Sequence, residues 1–192
     1  MLIDFNISQK YHKQTNPTHK RYEEKFESYK AMLGYYMSLP GKKLLFMGGE
    51  FGQFVEWRFA EGLDWQLLDY EFHRGIKEFA KDLGEFYKSN RSMYENDYDW
   101  KGFNWITADD SERSVVAFMR QSKSGRDKTI VVANFAAQEH KGYEVKVPGA
   151  GNYEVVLSTN DKKYGGNGKN TKSVKAKRDK DGYSIKIDIT EL

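Results

Sequence analysis

The chain has 192 residues, enough for one domain with a hydrophobic core, or for one small domain and part of another. It contains no cysteine, which excludes disulfides and cysteine-based metal sites or nucleophiles. The net charge is only +3, and 39% hydrophobic and 31% charged residues are typical of a folded chain rather than a disordered one. Neither a membrane-helix pattern nor a signal-peptide pattern occurs, so we expect a cytoplasmic protein that binds no membrane.

Two segments within the first 90 residues have helical spacing. Apolar residues recur at intervals of three and four over residues 26–37 and 76–87. Between them, residues 44–47 form a short apolar run flanked by glycines, which favours a buried strand of a parallel sheet. Helix, strand, loop and helix is the order of a βα barrel or another α/β layer fold. No second strand is predicted in this region, so the pattern indicates part of a larger domain.

The pattern changes to that of strands near residue 90, and we expect the boundary between residues 90 and 100. Seven short runs rich in Val, Ile, Tyr and Phe follow, at residues 103–106, 114–120, 129–135, 143–147, 153–158, 173–177 and 183–189. Seven such runs with no helical pattern between them predict a β-sandwich with a core of its own. In the last run, Ile185, Ile187 and Ile189 alternate with polar residues, which predicts one face toward the core and one toward water.

Aromatic residues make up 15% of the chain, which is unusually rich. This richness suits a packed β domain, because aromatic side chains supply much of the buried area of a core. It also suits a protein that stacks on sugar rings. The packing interpretation is the simpler one.

The stretch from residue 40 to residue 53 reads PGKKLLFMGGEFGQ, and it is followed by LDW at 63–65 and HRG at 73–75. Farther along are VVANF at 131–135 and YGGNG at 164–168. In order and spacing these motifs closely resemble bacterial glycogen (1,4-α-glucan) branching enzymes of glycoside hydrolase family 13, from about Tyr22 to the end. The resemblance implies three parts: an unmatched segment at 1–21, the C-terminal end of a (β/α)8 barrel at 22–91, and an α-amylase-type C-terminal β-sandwich at 92–192.

The resemblance also implies a retaining mechanism for the parent enzyme. In this family an Asp attacks the anomeric carbon, a Glu acts as acid and base, and a second Asp stabilises the transition state. The glucan is then passed to a sugar 6-hydroxyl. The second Asp belongs to a His-Asp-Glu motif before the first helix, where this chain has only His12-Lys13-Gln14 and His19-Lys20-Arg21. No catalytic residue is therefore assigned, and we expect the chain to be inactive alone. The alternative is a non-catalytic β-sandwich that binds glucan or a partner.

The resemblance places Glu50, Phe51, Gln53 and Trp57 in the wall of a site for α-glucan, with Trp57 either a stacking platform or a packing residue. Glu50, Glu56 and Asp64 lie near the expected active-site face. We interpret Glu50 as a partner of loop backbone and Asp64 as a residue that orients a turn, rather than as a catalytic pair.

The remaining features predict few other partners. The four histidines have no metal-ligand spacing, and no cofactor or metal is expected. The basic residues after Asp161 alternate with strand residues, as on a solvated sheet face, so nucleic acid is not expected to bind. The missing barrel portion is a candidate partner.

Overall fold

The computed structural model describes the backbone of residues 2–6, 17–55 and 58–189, and the side chains of residues 22–55 and 58–189. Its helices are α1 (Pro17–Ser38) and α2 (Glu71–Ser89). Its strands are β1 (Leu2–Asn6), β2 (Phe103–Asp110), β3 (Val115–Gln121), β4 (Lys128–Asn134), β5 (His140–Val147), β6 (Asn152–Ser158), β7 (Ser173–Lys175), β8 (Lys177–Asp179) and β9 (Gly182–Ile189). Among the described helices, neither combines the length and the apolar composition that spanning a bilayer requires.

The strands form a six-stranded and a three-stranded sheet. The larger has the order β2-β3-β4-β1-β6-β7, and the smaller has the order β5-β9-β8. Strand β1 is parallel to both of its neighbours, β4 and β6, whereas the other pairs are antiparallel. The predicted all-β region is confirmed; the predicted strand at 173–177 is β7, and β8 is a further strand that overlaps that prediction only at Lys177.

The two sheets enclose one hydrophobic core. It contains Val115, Ala117, Ile130, Val132, Val145, Val147, Ile185, Ile187 and Ile189. The predicted alternation in β9 is confirmed over residues 185–189, since the isoleucines are buried in this core while Lys186 and Asp188 face solvent; Ser184, predicted to face water, is buried.

A second core lies on the opposite face of the larger sheet, against the helices. It contains Leu33, Phe79, Leu83, Met93, Phe118, Val131, Ala133, Leu157 and Tyr164. Adjacent residues of β4 thus face different cores, Val131 toward the helices and Val132 toward the smaller sheet. Both faces of β4 are covered, which explains why this strand reads as a continuous apolar run. The β region therefore has a core of its own and shares another with the helices.

The predicted strand at residues 44–47 is wrong. These residues adopt no strand, and Leu44 and Phe46 are 72% and 58% exposed. The physical reason is the absence of a pairing edge, because none of the described strands lies beside this segment. The segment is held by the Tyr36 hydroxyl, which donates to Leu44 O and accepts from Leu44 N, and by the Gly49 N–H, which donates to Phe46 O.

Two buried cations join the helices to the β region. Lys30, on α1, donates from Nζ to Glu27 at 2.9 Å and to the carbonyls of Thr159 and Tyr164 at 3.1 and 3.0 Å. Arg120, on β3, donates to the carbonyl of Ser38 at the end of α1 at 2.8 Å. Because a buried cation without partners is very costly, each fixes the elements that supply its acceptors.

The loop at residues 159–168 forms the other half of this junction. The Tyr164 hydroxyl donates to Asp82 of α2 at 2.7 Å, and the Lys163 ammonium donates to the same carboxylate at 2.6 Å. Asn160 holds the loop from within, since its side chain donates to Asn167 and accepts from the Asn167 N–H, both at 2.9 Å. The glycine-rich motif at 164–168 thus has a structural role, because its loop packs the β region against α2.

Candidate functional site

Residues 48–53 form a tight loop whose shape depends on its glycines. A single 3-10 turn (Gly49–Phe51) is flanked by Gly48 at φ 81° and Gly52 at φ 69°. Both are left-handed conformations that are strained for a residue with a side chain. At Gly48 a Cβ would also come within 2.8 Å of the Gln53 side chain. The spacing of glycines in this motif is therefore required by the backbone.

Gln53 closes the loop with both ends of its side chain. Its Nε2 donates to Val55 O at 2.8 Å, and its Oε1 accepts from the Asp64 N–H at 2.9 Å. Its backbone N–H donates to Gly48 O at 3.0 Å. Gln53 thus joins the loop to the segment that begins at Asp64, and its amide is already committed to backbone groups.

His73 fixes the loop from below. The ring is fully buried on α2, with Nδ1 2.7 Å from Phe51 O and Nε2 3.0 Å from the Tyr22 hydroxyl. A carbonyl oxygen can only accept, so Nδ1 carries a proton and donates to Phe51 O, while Nε2 forms a hydrogen bond with the Tyr22 hydroxyl. The sequence placed His73 in a family motif but did not give it this role. Its signal was a lone histidine on the apolar face of an amphipathic helix.

Glu50 lies at the top of the turn and is partly exposed. It is near Tyr29, whose hydroxyl donates to Gly49 O at 2.7 Å. Burial, and then the negative charge of Glu50, raise the pKa of Tyr29, which keeps that hydroxyl protonated as a donor to the loop.

A small apolar pocket adjoins the loop. Its volume is about 220 Å³, and it is lined by Lys25, Phe26, Tyr29, Gly49, Gly52, Gln53 and Phe54. Ligand pockets usually measure about 300–1,000 Å³, so this is the size of part of a site.

The other predicted wall residues differ in position. Phe51 is fully buried, and its ring centroid is 5.0 Å from that of Trp65, so it supports the loop from beneath. Trp57 and Glu56 lie outside the described residues.

The Asp64 backbone carbonyl accepts from Leu67 N at 2.9 Å, while its carboxylate accepts from the Gln66 amide at 3.3 Å. The loop therefore brings Glu50, Phe51 and Gln53 together and ties them to Asp64. Within the described part of the chain, no group of three or more His, Asp or Glu side chains could hold a metal ion.

Comparison with known proteins supplies further observations. Residues 105–192 match the family model described as "Alpha amylase, C-terminal all-beta domain". The 1,4-alpha-glucan branching enzyme GlgB of Halothermothrix orenii is 41% identical over 175 residues, which cover 89% of this chain and 28% of that enzyme. The GlgB enzymes of Aquifex aeolicus and Bacillus caldolyticus are 45% and 46% identical over 147 residues, and the match covers 77% of this chain with each. The chain thus spans about a quarter of the length of these curated relatives.

Proposed function

We propose that this chain, which is a C-terminal segment of the bacterial glycogen branching enzyme family, supplies one wall of an α-glucan site to an enzyme that converts α-1,4 into α-1,6 linkages. The loop at 48–53 carries the proposal. It is held in one conformation by two left-handed glycines, Gln53 and His73, and it presents Glu50 at its surface. A site that is fixed before the substrate arrives loses little entropy on binding.

Residues 22–91 are, in this proposal, the end of a (β/α)8 barrel. In this proposal, segment 44–47 is the part of the chain against which the rest of the barrel packs. Its exposure here supports this, because an exposed contiguous apolar surface usually marks an interface. The partner is therefore the barrel portion of a branching enzyme.

The chain alone is expected not to branch glucan. A retaining transfer needs a nucleophile and a proton donor on either side of the scissile bond, and the three carboxylates that the family resemblance calls for have no counterparts here. Losing acid–base catalysis costs about 10²–10⁴-fold, and losing the nucleophile removes the covalent route. The assay is debranching analysis of amylose incubated with the purified chain. New α-1,6 linkages that vanish in Glu50→Gln or Asp64→Asn would contradict the proposal.

Complementation of a shortened branching enzyme tests whether the barrel portion is the partner of this chain. The Halothermothrix orenii enzyme, shortened to remove the part that matches this chain, would be mixed with it. We expect co-elution and restored branching, with both lost in a Leu44→Asp/Phe46→Asp variant. Trp100→Asp is the matched control, because Trp100 is 79% exposed and lies outside segment 44–47. Equal restoration of branching by the unsubstituted chain, by Leu44→Asp/Phe46→Asp and by Trp100→Asp would contradict the assigned interface.

A second candidate function, glucan binding without turnover, is favoured by one groove of the β region. This groove has a volume of about 610 Å³ and includes Asn96, Asp97, Tyr98 and Gln121. Tyr98 is 81% exposed, so its ring can stack on a sugar beside polar groups that suit hydroxyls. The control is Phe59, which is 91% exposed and lies outside the groove. Retardation of the chain in a native gel containing glycogen, lost on Tyr98→Ala but not on Phe59→Ala, would support this function. Migration unaffected by glycogen would exclude it.

A further inference from the structure

Strand β1 lies at the centre of the larger sheet although it comes from the segment that does not resemble the family. It pairs with β4 over five residues, from Leu2 opposite Ile130 to Asn6 opposite Asn134. On its other side, Asp4 lies opposite Ser158 of β6. A segment from the opposite end of the chain thus occupies the middle of the sheet.

The gap that β1 fills cannot close by itself. Neighbouring strands lie about 4.8 Å apart, so β4 and β6 are separated by roughly 10 Å across β1, too far for direct hydrogen bonds. Without an occupant, two rows of backbone N–H and C=O groups would lose their partners. Every residue of β4 from Thr129 to Asn134 is buried, so water could not replace those partners cheaply.

Both strands that border the gap belong to the all-β region, whereas the occupant lies far from that region in sequence. The match to the all-β family model at residues 105–192 includes β4 and β6, and residues 2–6 lie outside it. Recognition by two strand edges uses backbone groups, so it admits segments of different sequence.

We propose that the gap between β4 and β6 is a strand-acceptor site, and that its occupant is residues 2–6 of this chain, bound as an extended peptide through backbone hydrogen bonds on both sides. The inference is independent of the proposed function. The chemical class of ligand is a short extended segment that has a free N–H at every position and runs parallel to β4.

The first test uses the intact chain. Backbone amides of residues 3–6 should exchange with deuterium on the order of 100-fold or more slowly than those of an unstructured peptide, as expected for a central strand. Exchange at the rate of an unstructured peptide would overturn the proposal.

The second test cuts the connection between occupant and sheet. A site-specific protease sequence is inserted between Lys13 and Gln14 of the full chain, and the chain is then cleaved. The released N-terminal peptide should co-elute with the remainder on gel filtration and be displaced by an excess of labelled synthetic peptide of residues 1–10. Immediate separation of the two fragments would overturn the proposal.

The matched control is proline substitution. Asp4→Pro removes an N–H from a strand that is paired on both sides, so the cleaved peptide should no longer be retained. Gln9→Pro lies outside β1 and should leave retention unchanged. Equal retention of the two variants would show that backbone pairing does not hold the segment.

Discussion

At the scale of single residues, the buried cation Lys30 joins a helix to a loop more than 120 positions away. It is 1% exposed, and its acceptors include the Glu27 carboxylate and two backbone carbonyls. The sequence carried a signal for it, because Lys30 falls on the same helix face as Phe26 and Leu33. Its partners could not be predicted, since they depend on tertiary contacts with the loop at 159–168.

Lys30→Met is therefore expected to lower the free energy of unfolding by about 3–5 kcal/mol, because it leaves the buried Glu27 without its cation. The measurement is urea denaturation followed by circular dichroism. Lys25→Met is the matched control, since Lys25 is exposed on the same helix. Adding Glu27→Met to Lys30→Met should recover much of the loss. A change below about 1 kcal/mol for Lys30→Met would contradict the assignment, being within the usual range for a surface pair.

Lys43 gives a pH-dependent prediction. Burial, opposed by the Asp97 carboxylate and reinforced by the Arg120 guanidinium, lowers the pKa of Lys43 from 10.5 to about 8. Above about pH 8 the folded chain has released this proton while the unfolded chain still binds it, so folding stability rises with pH up to about 10. Relative to Lys43→Met, the free energy of unfolding should therefore increase between these pH values. The measurement is urea denaturation of both chains at several pH values. A difference in unfolding free energy between the chains that stays constant with pH would contradict this prediction.

At the scale of elements, helix α2 contains two glycines that have different surroundings. At Gly75 a Cβ would lie 2.8 Å from Tyr164 O, whereas at Gly84 it would meet nothing within 4 Å. The Tyr164 carbonyl is also an acceptor of Lys30, so it cannot shift freely. Helix and loop thus approach each other closely only where the glycine allows it.

These glycines form a matched pair of substitutions. Gly75→Ala should lower the free energy of unfolding by about 1–3 kcal/mol through overpacking. Gly84→Ala should raise it by about 0.5–1 kcal/mol, since alanine is the better helix former. Thermal denaturation of both variants provides the measurement. The same sign of effect at both positions would contradict this account of the junction.

The success of sequence prediction differed between elements for physical reasons. Both helices, the strands from β2 to β7 and strand β9 followed from local periodicity, because their apolar faces lie against cores that this chain supplies. Segment 44–47 has strand composition but no pairing edge, so composition alone predicted the wrong structure. Strand β1 was missed because a central parallel strand depends on neighbours far along the chain. The loop at 48–53 was predicted through family resemblance, whereas the support from His73 required the structure.

At the scale of the whole molecule, the apolar segment 44–47 should dominate behaviour in solution. Leu44, Phe46 and Met47 are each more than half exposed. We expect the purified chain to bind a hydrophobic dye and to self-associate, and we expect Leu44→Ser/Phe46→Ser to reduce both properties. Dye fluorescence and light scattering provide the measurements, with Trp100→Ser as control. A monomer that binds no dye would contradict the prediction.

The two-sided burial of the larger sheet also bears on domain boundaries. A cut at residue 92 would separate Val131 and Phe118 from Phe79 and Leu83, which share one core. The β region should thus be unable to keep its native stability without α1 and α2, even though a second core lies between its sheets.

The position of β1 has a consequence for how a cell makes this protein. A ribosome synthesises residues 2–6 more than 120 residues before their partners in β4 and β6. Residues 2–6 must therefore remain unpaired with β4 and β6 until those strands have been synthesised, and the larger sheet can close only then. Such long sequence separation slows folding and leaves strand edges open meanwhile. Chaperones that shield extended nascent segments would consequently act on residues 2–6 before β4 and β6 have been made.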